Sequence, residues 1–146
     1  MQMSPRGLQL TMDSEGLSTV AYRDGDGIWT IGYGHTNGVK KGDTCTPDQA
    51  LAFLKFDMGT AEVAVARLVQ VALEQWEADA LNDFVFNLGA GALGGSTLLR
   101  KLNGGDRLGA AAEFPRWVHD GLGNVEPGLV TRRNREQMLF QTGDWK

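Results

Sequence analysis

The sequence is poor in cysteine, with Cys45 as its single example, so no disulfide can form within the chain. Its stability therefore does not depend on an oxidising compartment. No apolar run approaches the roughly 18 residues that a membrane-spanning helix needs. The first residues also lack the charged start and apolar block of a signal peptide. We therefore expect a protein that neither spans a membrane nor exports itself through a signal.

Positive charge is also scarce, with 14 Lys and Arg against 18 Asp and Glu and a net charge of -4. This balance gives no support to nucleic-acid binding through bulk charge. The two histidines, His35 and His119, do not combine with Cys45 into a metal-ligand pattern. Residues 24–27 resemble the start of a calcium loop, but His35 stands where such a loop requires glutamate. We therefore expect neither a metal nor another cofactor.

The sequence does contain clear start and stop signals for a short first helix. Ser4 is a suitable N-cap, Pro5 suits the first helical position, and Gly16 is placed to end the helix. These signals put Glu15 in the last helical turn. A hairpin should follow, with strands at residues 20–22 and 28–34 around the turn residues 24–27. A third strand is expected near residues 38–40.

From Thr46 onward the sequence predicts helices. Residues 46–49 form a capping box with Pro47 at the first helical position, and this helix should run to residue 68 or 69. Trp76 and Phe84 fall at helical spacing, so we expect both in the core. Further helices are predicted at residues 74–88, from Ser96 to Asn103, from Asp106 to Pro115 and from Leu129 to Phe140, the last after a glycine-rich loop at residues 121–128.

With 146 residues, of which 42% are hydrophobic, the chain is expected to form a single, mainly helical α+β domain with two lobes. The small β-containing lobe should occupy about residues 13–56. A bridging helix at about 47–69 should join it to a larger helical lobe at about 70–146, which also takes in the N-terminal helix. A cleft between two lobes is the usual place for a polymeric substrate.

Three residues have the right chemistry to cleave a glycosidic bond. This reaction needs a protonated acid at the leaving oxygen and a second group that activates water or attacks the sugar. Glu15 ends a helix, Asp24 opens a turn and Thr30 lies on the returning strand, so the three side chains can converge on one cleft. The residue pattern alone leaves open that Glu15 is merely solvated, that Asp24 only favours a turn, and that Thr30 only favours a strand. The neighbouring Asp26 needs no explanation beyond the turn.

The chain resembles the phage lysozyme and endolysin family, glycoside hydrolase family 24. The resemblance rests on Glu-Gly-Leu at 15–17, Ala-Tyr-Arg-Asp at 21–24 and Trp-Thr-Ile-Gly-Tyr-Gly-His-Thr at 29–36. Residues 86–91, 96–103 and 128–133 agree with the family's helical lobe, so the resemblance covers almost the whole chain. It implies a lysozyme fold and a muramidase that hydrolyses the β-1,4 bond between N-acetylmuramic acid and N-acetylglucosamine in peptidoglycan.

The resemblance also implies roles for the three residues. Glu15 would protonate the leaving oxygen, while Asp24 and Thr30 would position water on the opposite face of the sugar and invert its configuration. Inversion implies carboxyl groups roughly 6.5–9.5 Å apart. The residues expected to bind substrate or support the site are His35, Gly32, Tyr33, Phe86, Asn87, Gly89 and Arg132, with Arg132 pairing with Glu15. For His35 a purely structural role stays open, and Arg132 can equally belong to a solvated basic face with Arg133 and Arg135.

The biological setting is likewise implied by the resemblance. We expect a monomer that binds peptidoglycan glycan strands, accumulates in the host cytoplasm and reaches the wall through a holin, a separate membrane-permeabilising protein. Three alternatives remain at this point. They are a lytic transglycosylase, a catalytically inactive wall-binding or virion protein, and an enzyme that prefers plain N-acetylglucosamine polymer.

Overall fold

A computed structural model describes residues 1–146. Seven α-helices, two strands and one turn of 3₁₀ helix at Phe114–Arg116 follow one another along the chain. The elements are α1 (Pro5–Glu15), β1 (Ser18–Arg23), β2 (Trp29–Gly32), α2 (Pro47–Leu68), α3 (Gln75–Leu88), α4 (Ala90–Gly94), α5 (Thr97–Asn103), α6 (Arg107–Ala111) and α7 (Pro127–Thr142). This confirms the predicted mainly helical α+β class. None of the helices combines the length and the apolar character that crossing a membrane requires.

Helix α1 begins and ends where its sequence signals place it. The Ser4 hydroxyl accepts a hydrogen bond from the Gly7 backbone N–H at 3.2 Å, and Pro5 occupies the first helical position. Gly16 ends the helix with a φ of +74°, a conformation that favours glycine. Glu15 is consequently the last residue of α1, which directs its side chain toward the hairpin side of the molecule.

Strands β1 and β2 form an antiparallel pair in which Tyr22 lies opposite Thr30, and the register is irregular between Ser18 and Tyr22. The predicted third strand near residues 38–40 is wrong. Lys40 donates its backbone N–H to the Asp43 carboxylate at 2.8 Å, which folds this stretch into a local turn. Two isolated bridges adjoin the sheet, one between Val20 of β1 and Thr44 and one between Ile31 of β2 and His35.

The long helix α2 has both halves of the capping box: the Thr46 hydroxyl accepts from the Gln49 N–H, and the Gln49 side chain accepts from the Thr46 N–H. It ends at Leu68, as predicted. Helix α3 contacts α1, α2, α4 and α7, and every residue from Glu77 to Val85 is buried. Helix α3 is therefore the centre of the helical part.

Phe84 is fully buried, as expected, but the prediction for Trp76 is wrong because this side chain is 39% exposed. Trp76 lies in the first turn of α3, ahead of the buried stretch, so helical spacing alone misassigned it.

The helices also differ from the prediction at three points. Between the helices predicted at 74–88 and from Ser96, the chain forms the additional short helix α4. Helix α6 ends at Ala111, and Pro115 lies in the following 3₁₀ turn rather than closing the helix. Helix α7 begins two residues before Leu129 because the Glu126 carboxylate accepts from the backbone N–H groups of Gly128 and Leu129 at 3.0 and 2.9 Å.

Candidate active site

Glu15 lines a pocket of about 370 Å³, and its side chain is 22% exposed. The walls come from the end of α1, the segment after β2, the middle of α2 and the end of α3. The lining residues are Glu15, Gly34, Thr36, Asn37, Asp57, Thr60, Ala61, Val85, Phe86, Asn87, Gly89 and Ala90. Phe86, Asn87 and Gly89, three of the residues predicted to bind substrate or support the site, line the same pocket as Glu15.

An arginine from α7 holds the Glu15 carboxyl group. Nη1 of Arg132 donates to Oε2 of Glu15. The same guanidinium donates from Nε and Nη2 to the two oxygens of Asp83 at 2.9 and 2.8 Å. Arg132 is only 5% exposed, and its two hydrogen bonds to Asp83 set the orientation of the guanidinium. The site therefore contains a fixed cation that restricts Glu15 to one orientation.

Asp83 is negatively charged although it is buried in the core. Burial by itself would raise the pKa of Asp83, but the charge and hydrogen bonds of Arg132 outweigh it and hold that pKa at about 2. The Thr11 hydroxyl donates a further hydrogen bond to Asp83 at 2.6 Å. In turn, the carboxylate of Asp83 raises the pKa of Arg132 against the opposing effect of burial. Asp83 and Arg132 are therefore both ionised in the folded protein at neutral pH.

Gly34 approaches Glu15 more closely than any side chain allows. A Cβ at this position would lie 2.6 Å from Oε1 of Glu15, and the backbone φ is +80°. Gly32 is different, because its Cβ would meet Ala50 of α2 at 3.2 Å. Gly32 and Tyr33 are both buried and do not line the pocket. The close approach at Gly34 is thus to the carboxyl group of Glu15, and the one at Gly32 is to the helix behind the hairpin.

Asp24 and Thr30 lie on the hairpin and do not line the pocket. Oδ1 of Asp24 accepts from the backbone N–H groups of Asp26 and Ile28, both at 2.9 Å. Thr30 is 4% exposed, and its hydroxyl donates to the Ile28 carbonyl at 2.9 Å. Both side chains therefore help to shape the turn, and the turn uses only one of the two carboxylate oxygens of Asp24.

His35 ties the segment after β2 to α2. Its Nδ1 lies 2.7 Å from Oδ2 of Asp57, and its ring stacks on Phe53 with centroids 4.4 Å apart. Sequence reasoning missed Asp57 and also Thr36, Asn37 and Thr60 of the pocket wall. It also missed Asp83, although Asp83 and Asn87 are four residues apart on α3 and so share one helix face.

A larger pocket of about 570 Å³ lies elsewhere, beside the exposed Trp76 and Leu108. Its buried Glu77 is already paired with Arg107 at 2.9 Å. The smaller pocket is the one lined by Glu15, the residue that the sequence predicts as the acid. No group of three His, Cys, Asp or Glu side chains comes together to hold a metal ion.

A mainly helical frame with one small antiparallel sheet, and a glutamate at the end of a helix that lines a pocket, is the arrangement of a glycoside hydrolase of the lysozyme class. The chain belongs to the phage lysozyme family, whose model matches residues 12–136.

Two curated endolysins are similar over nearly the full length of both proteins. One, from Acyrthosiphon pisum secondary endosymbiont phage 1, is 42% identical over 97% of this chain and 99% of its own. The other, from Salmonella phage P22, is 40% identical over 96% and 98%. Among solved structures, the muramidase domain of SpmX from Asticaccaulis excentricus superimposes with a TM-score of 0.91 at 38% identity, over 97% of this chain and 98% of that one. These likenesses confirm the lysozyme fold expected from the sequence.

Proposed function

We propose that the protein is an endolysin with muramidase activity, which hydrolyses the β-1,4 bond between N-acetylmuramic acid and N-acetylglucosamine and so lyses the host cell. Membership of the phage lysozyme family supports this function. The observation that carries it is the position of Glu15, whose carboxyl group lines the pocket and is held by Arg132. A partly exposed carboxyl group in a cleft is what protonation of a glycosidic oxygen requires.

In this proposal Glu15 gives its proton to the leaving oxygen as the bond between that oxygen and the anomeric carbon breaks. A water on the opposite face attacks the carbon and gives up a proton to the Asp24 carboxylate, while the Thr30 hydroxyl positions the water. The configuration therefore inverts, and exchange with solvent returns both carboxyl groups to their starting states. The turn leaves one Asp24 oxygen uncommitted, which supports this assignment.

The other expected residues take supporting roles. We assign Phe86, Asn87 and Gly89 to contacts with the glycan, because all three line the pocket. Arg132 orients Glu15. His35, through Asp57, fixes the segment that carries Gly34, while Gly32 and Tyr33 support it from the buried side of the hairpin.

The test is the digestion of purified peptidoglycan by wild type, Glu15→Gln and Asp13→Asn, followed by mass spectrometry. Asp13 is an exposed carboxylate on the same helix, so Asp13→Asn is the matched control. We expect products with hydrated reducing ends from wild type and from the control, and none from Glu15→Gln. Anhydro ends would identify a transglycosylase instead. Release of fragments by Glu15→Gln would remove Glu15 from the mechanism.

We also propose that the chain acts as a monomeric single domain, with lobes at about residues 13–56 and about 70–146 plus the N-terminal helix, joined at about 47–69. We further propose a cytoplasmic store that needs a holin to reach the wall. Expression in a bacterial host with and without a pore-forming membrane protein tests this route. Lysis should require the pore, and lysis in its absence would contradict the proposal.

A further inference from the structure

Beside the pocket, the arginine next to Arg132 forms a second buried cluster that the proposed mechanism does not use. Arg133 is fully buried, and its Nε lies 2.7 Å from Oε1 of Glu136. Nη2 donates to the other Glu136 oxygen at 3.0 Å, and the guanidinium carbon lies 5.4 Å from the Phe84 ring centroid. A buried arginine paired with Glu136 and packed on Phe84 has very little freedom to turn.

The cluster reaches the pocket through Asn87. Nη2 of Arg133 also donates to Oδ1 of Asn87 at 2.7 Å, and Asn87 lines the pocket with Glu15. Arginine has only donors, so the atom of the Asn87 amide that faces it must be the oxygen. The contact therefore decides between the two orientations of the amide group, which have almost the same shape.

Fixing the oxygen also fixes the nitrogen. With Oδ1 turned toward Arg133, the NH₂ group of Asn87 is turned away from it. This nitrogen donates to no group of the protein, and it is not among the buried polar atoms that lack a partner. It is therefore a solvent-accessible pair of N–H donors on a residue of the pocket wall.

We propose that Arg133 and Glu136 are positioning residues that hold Asn87 with its NH₂ group presented to the glycan, where it donates a hydrogen bond to an acetamido carbonyl or a ring hydroxyl. The inference rests on the proposed function, since it names what the pocket wall offers to the same substrate. Both sugars of peptidoglycan carry an N-acetyl group, so a fixed donor has a suitable acceptor on each unit.

Glu136 is needed because a lone guanidinium at this depth would be costly. Removing one partner of a buried ion pair is strongly destabilising, whereas replacing both with apolar side chains of similar volume is often tolerated. The paired substitution Arg133→Met with Glu136→Leu therefore removes the clamp without leaving a lone charge. It keeps the core filled and releases Asn87.

Asn87→Asp is the sharpest single variant because the change is isosteric. The new carboxylate still accepts from Arg133, so the clamp stays in place, but the donor to the glycan is lost. We expect its Kd for uncross-linked peptidoglycan glycan strands, measured in the Glu15→Gln background at high salt, to rise about tenfold, as for one lost hydrogen bond. High salt screens repulsion from the added charge. Wild-type affinity in Asn87→Asp would overturn the proposal.

The clamp itself is tested by a double-mutant cycle. On soluble strands, Asn87→Ala and the Arg133→Met, Glu136→Leu pair should each raise KM about tenfold with little change in kcat, because binding and not the chemical step is affected. All three substitutions together should raise KM no more than Asn87→Ala does. Fully additive effects, or an unchanged KM in the paired variant, would contradict a positioning role. The melting temperature reports separately whether each variant folds.

The proposed function and the role of Asn87 can be disproved separately. If the wild-type enzyme leaves the strands intact, the proposed function is wrong and this inference falls with it. If the enzyme cleaves the strands through Glu15 and none of the Asn87 and Arg133 variants changes KM or Kd, only this inference is wrong.

Discussion

Position 34 has no room for a side chain, because the Glu15 carboxyl group fills the space beside it. We predict that Gly34→Ala lowers the rate of wall lysis about 10- to 100-fold, since the added methyl collides with Oε1 of Glu15 and so shifts the carboxyl group, whose Oε2 is held by Arg132. The rate is measured as clearing of a suspension of purified cell walls.

Gly38 provides the matched control for this change. Its φ of +72° is as demanding as that of Gly34, but a Cβ there meets nothing within 4 Å. Both alanine variants should lose about 1 kcal/mol of folding free energy, as the left-handed backbone costs any other residue. Only Gly34→Ala should lose activity, and equal losses would show that backbone strain and not displacement of Glu15 is responsible.

The two roles of Asp24 can be separated by a single substitution. Asn keeps an oxygen that can accept from the Asp26 and Ile28 N–H groups, so Asp24→Asn should hold the turn but lose the negative charge. We predict a loss of about 100-fold or more in lysis with an unchanged melting temperature. Asp26→Asn should be mild, because only the backbone of Asp26 takes part in the turn. Comparable activity in both variants would leave Asp24 with the turn as its only role.

At the residue scale, the sequence pattern identified those pocket residues that lie within one contiguous motif. Glu15 stands at a helix end with clear punctuation, and Phe86, Asn87 and Gly89 fall in one short run. Asp83 and Asp57 were missed because their roles depend on partners 49 and 22 residues away, Arg132 and His35. No spacing pattern in the sequence predicts contacts between residues so far apart in the chain.

At the scale of elements, the starts of the helices with conventional caps were predicted to within a residue or so. Both α1 and α2 have hydroxyl N-caps followed by proline, and these signals are local and strong. The start of α7 was missed because its cap is Glu126, which is not one of the preferred capping residues. The predicted third strand does not form because the Asp43 carboxylate accepts a hydrogen bond from the backbone N–H of Lys40.

The cap of α7 can be tested directly. Glu126→Ala removes an acceptor for two backbone N–H groups, and we predict a loss of about 1 kcal/mol in the free energy of unfolding. Urea denaturation measures it. Glu126→Gln should lose less, because its amide keeps one oxygen acceptor. If both variants match wild type, the helix does not depend on this cap.

At the scale of the whole molecule, one buried charge connects three helices. Asp83 of α3 accepts from Thr11 of α1 and pairs with Arg132 of α7, whose guanidinium also reaches Glu15. The contacts that orient the proposed acid are therefore the same ones that join α1, α3 and α7. Loss of the Asp83 charge should weaken the whole molecule as well as the site.

The pH dependence of stability should show this charge. The pKa of Asp83 is about 2 in the folded protein, below its ordinary value of 3.8, so between these values the unfolded chain binds more protons. Stability from this group is fully present above pH 4 and is lost as the pH falls through 2. The difference corresponds to about 2 kcal/mol. The contribution of Glu136 to stability depends on pH in the opposite sense, because burial and the charge of Asp83 raise the pKa of Glu136. This group titrates above the window in which Asp83 titrates.

Asp83→Asn isolates the contribution of this charge. At pH 7 the variant should be about 3 kcal/mol less stable than wild type, because Arg132 then remains buried without its main partner. As the pH falls from 4 to 2, the gap measured by urea unfolding should narrow by about 2 kcal/mol, since protonation removes the same charge from wild type. Parallel curves for the two proteins would contradict this, because they would mean that Asp83 carries no more charge in the native protein than in the unfolded chain.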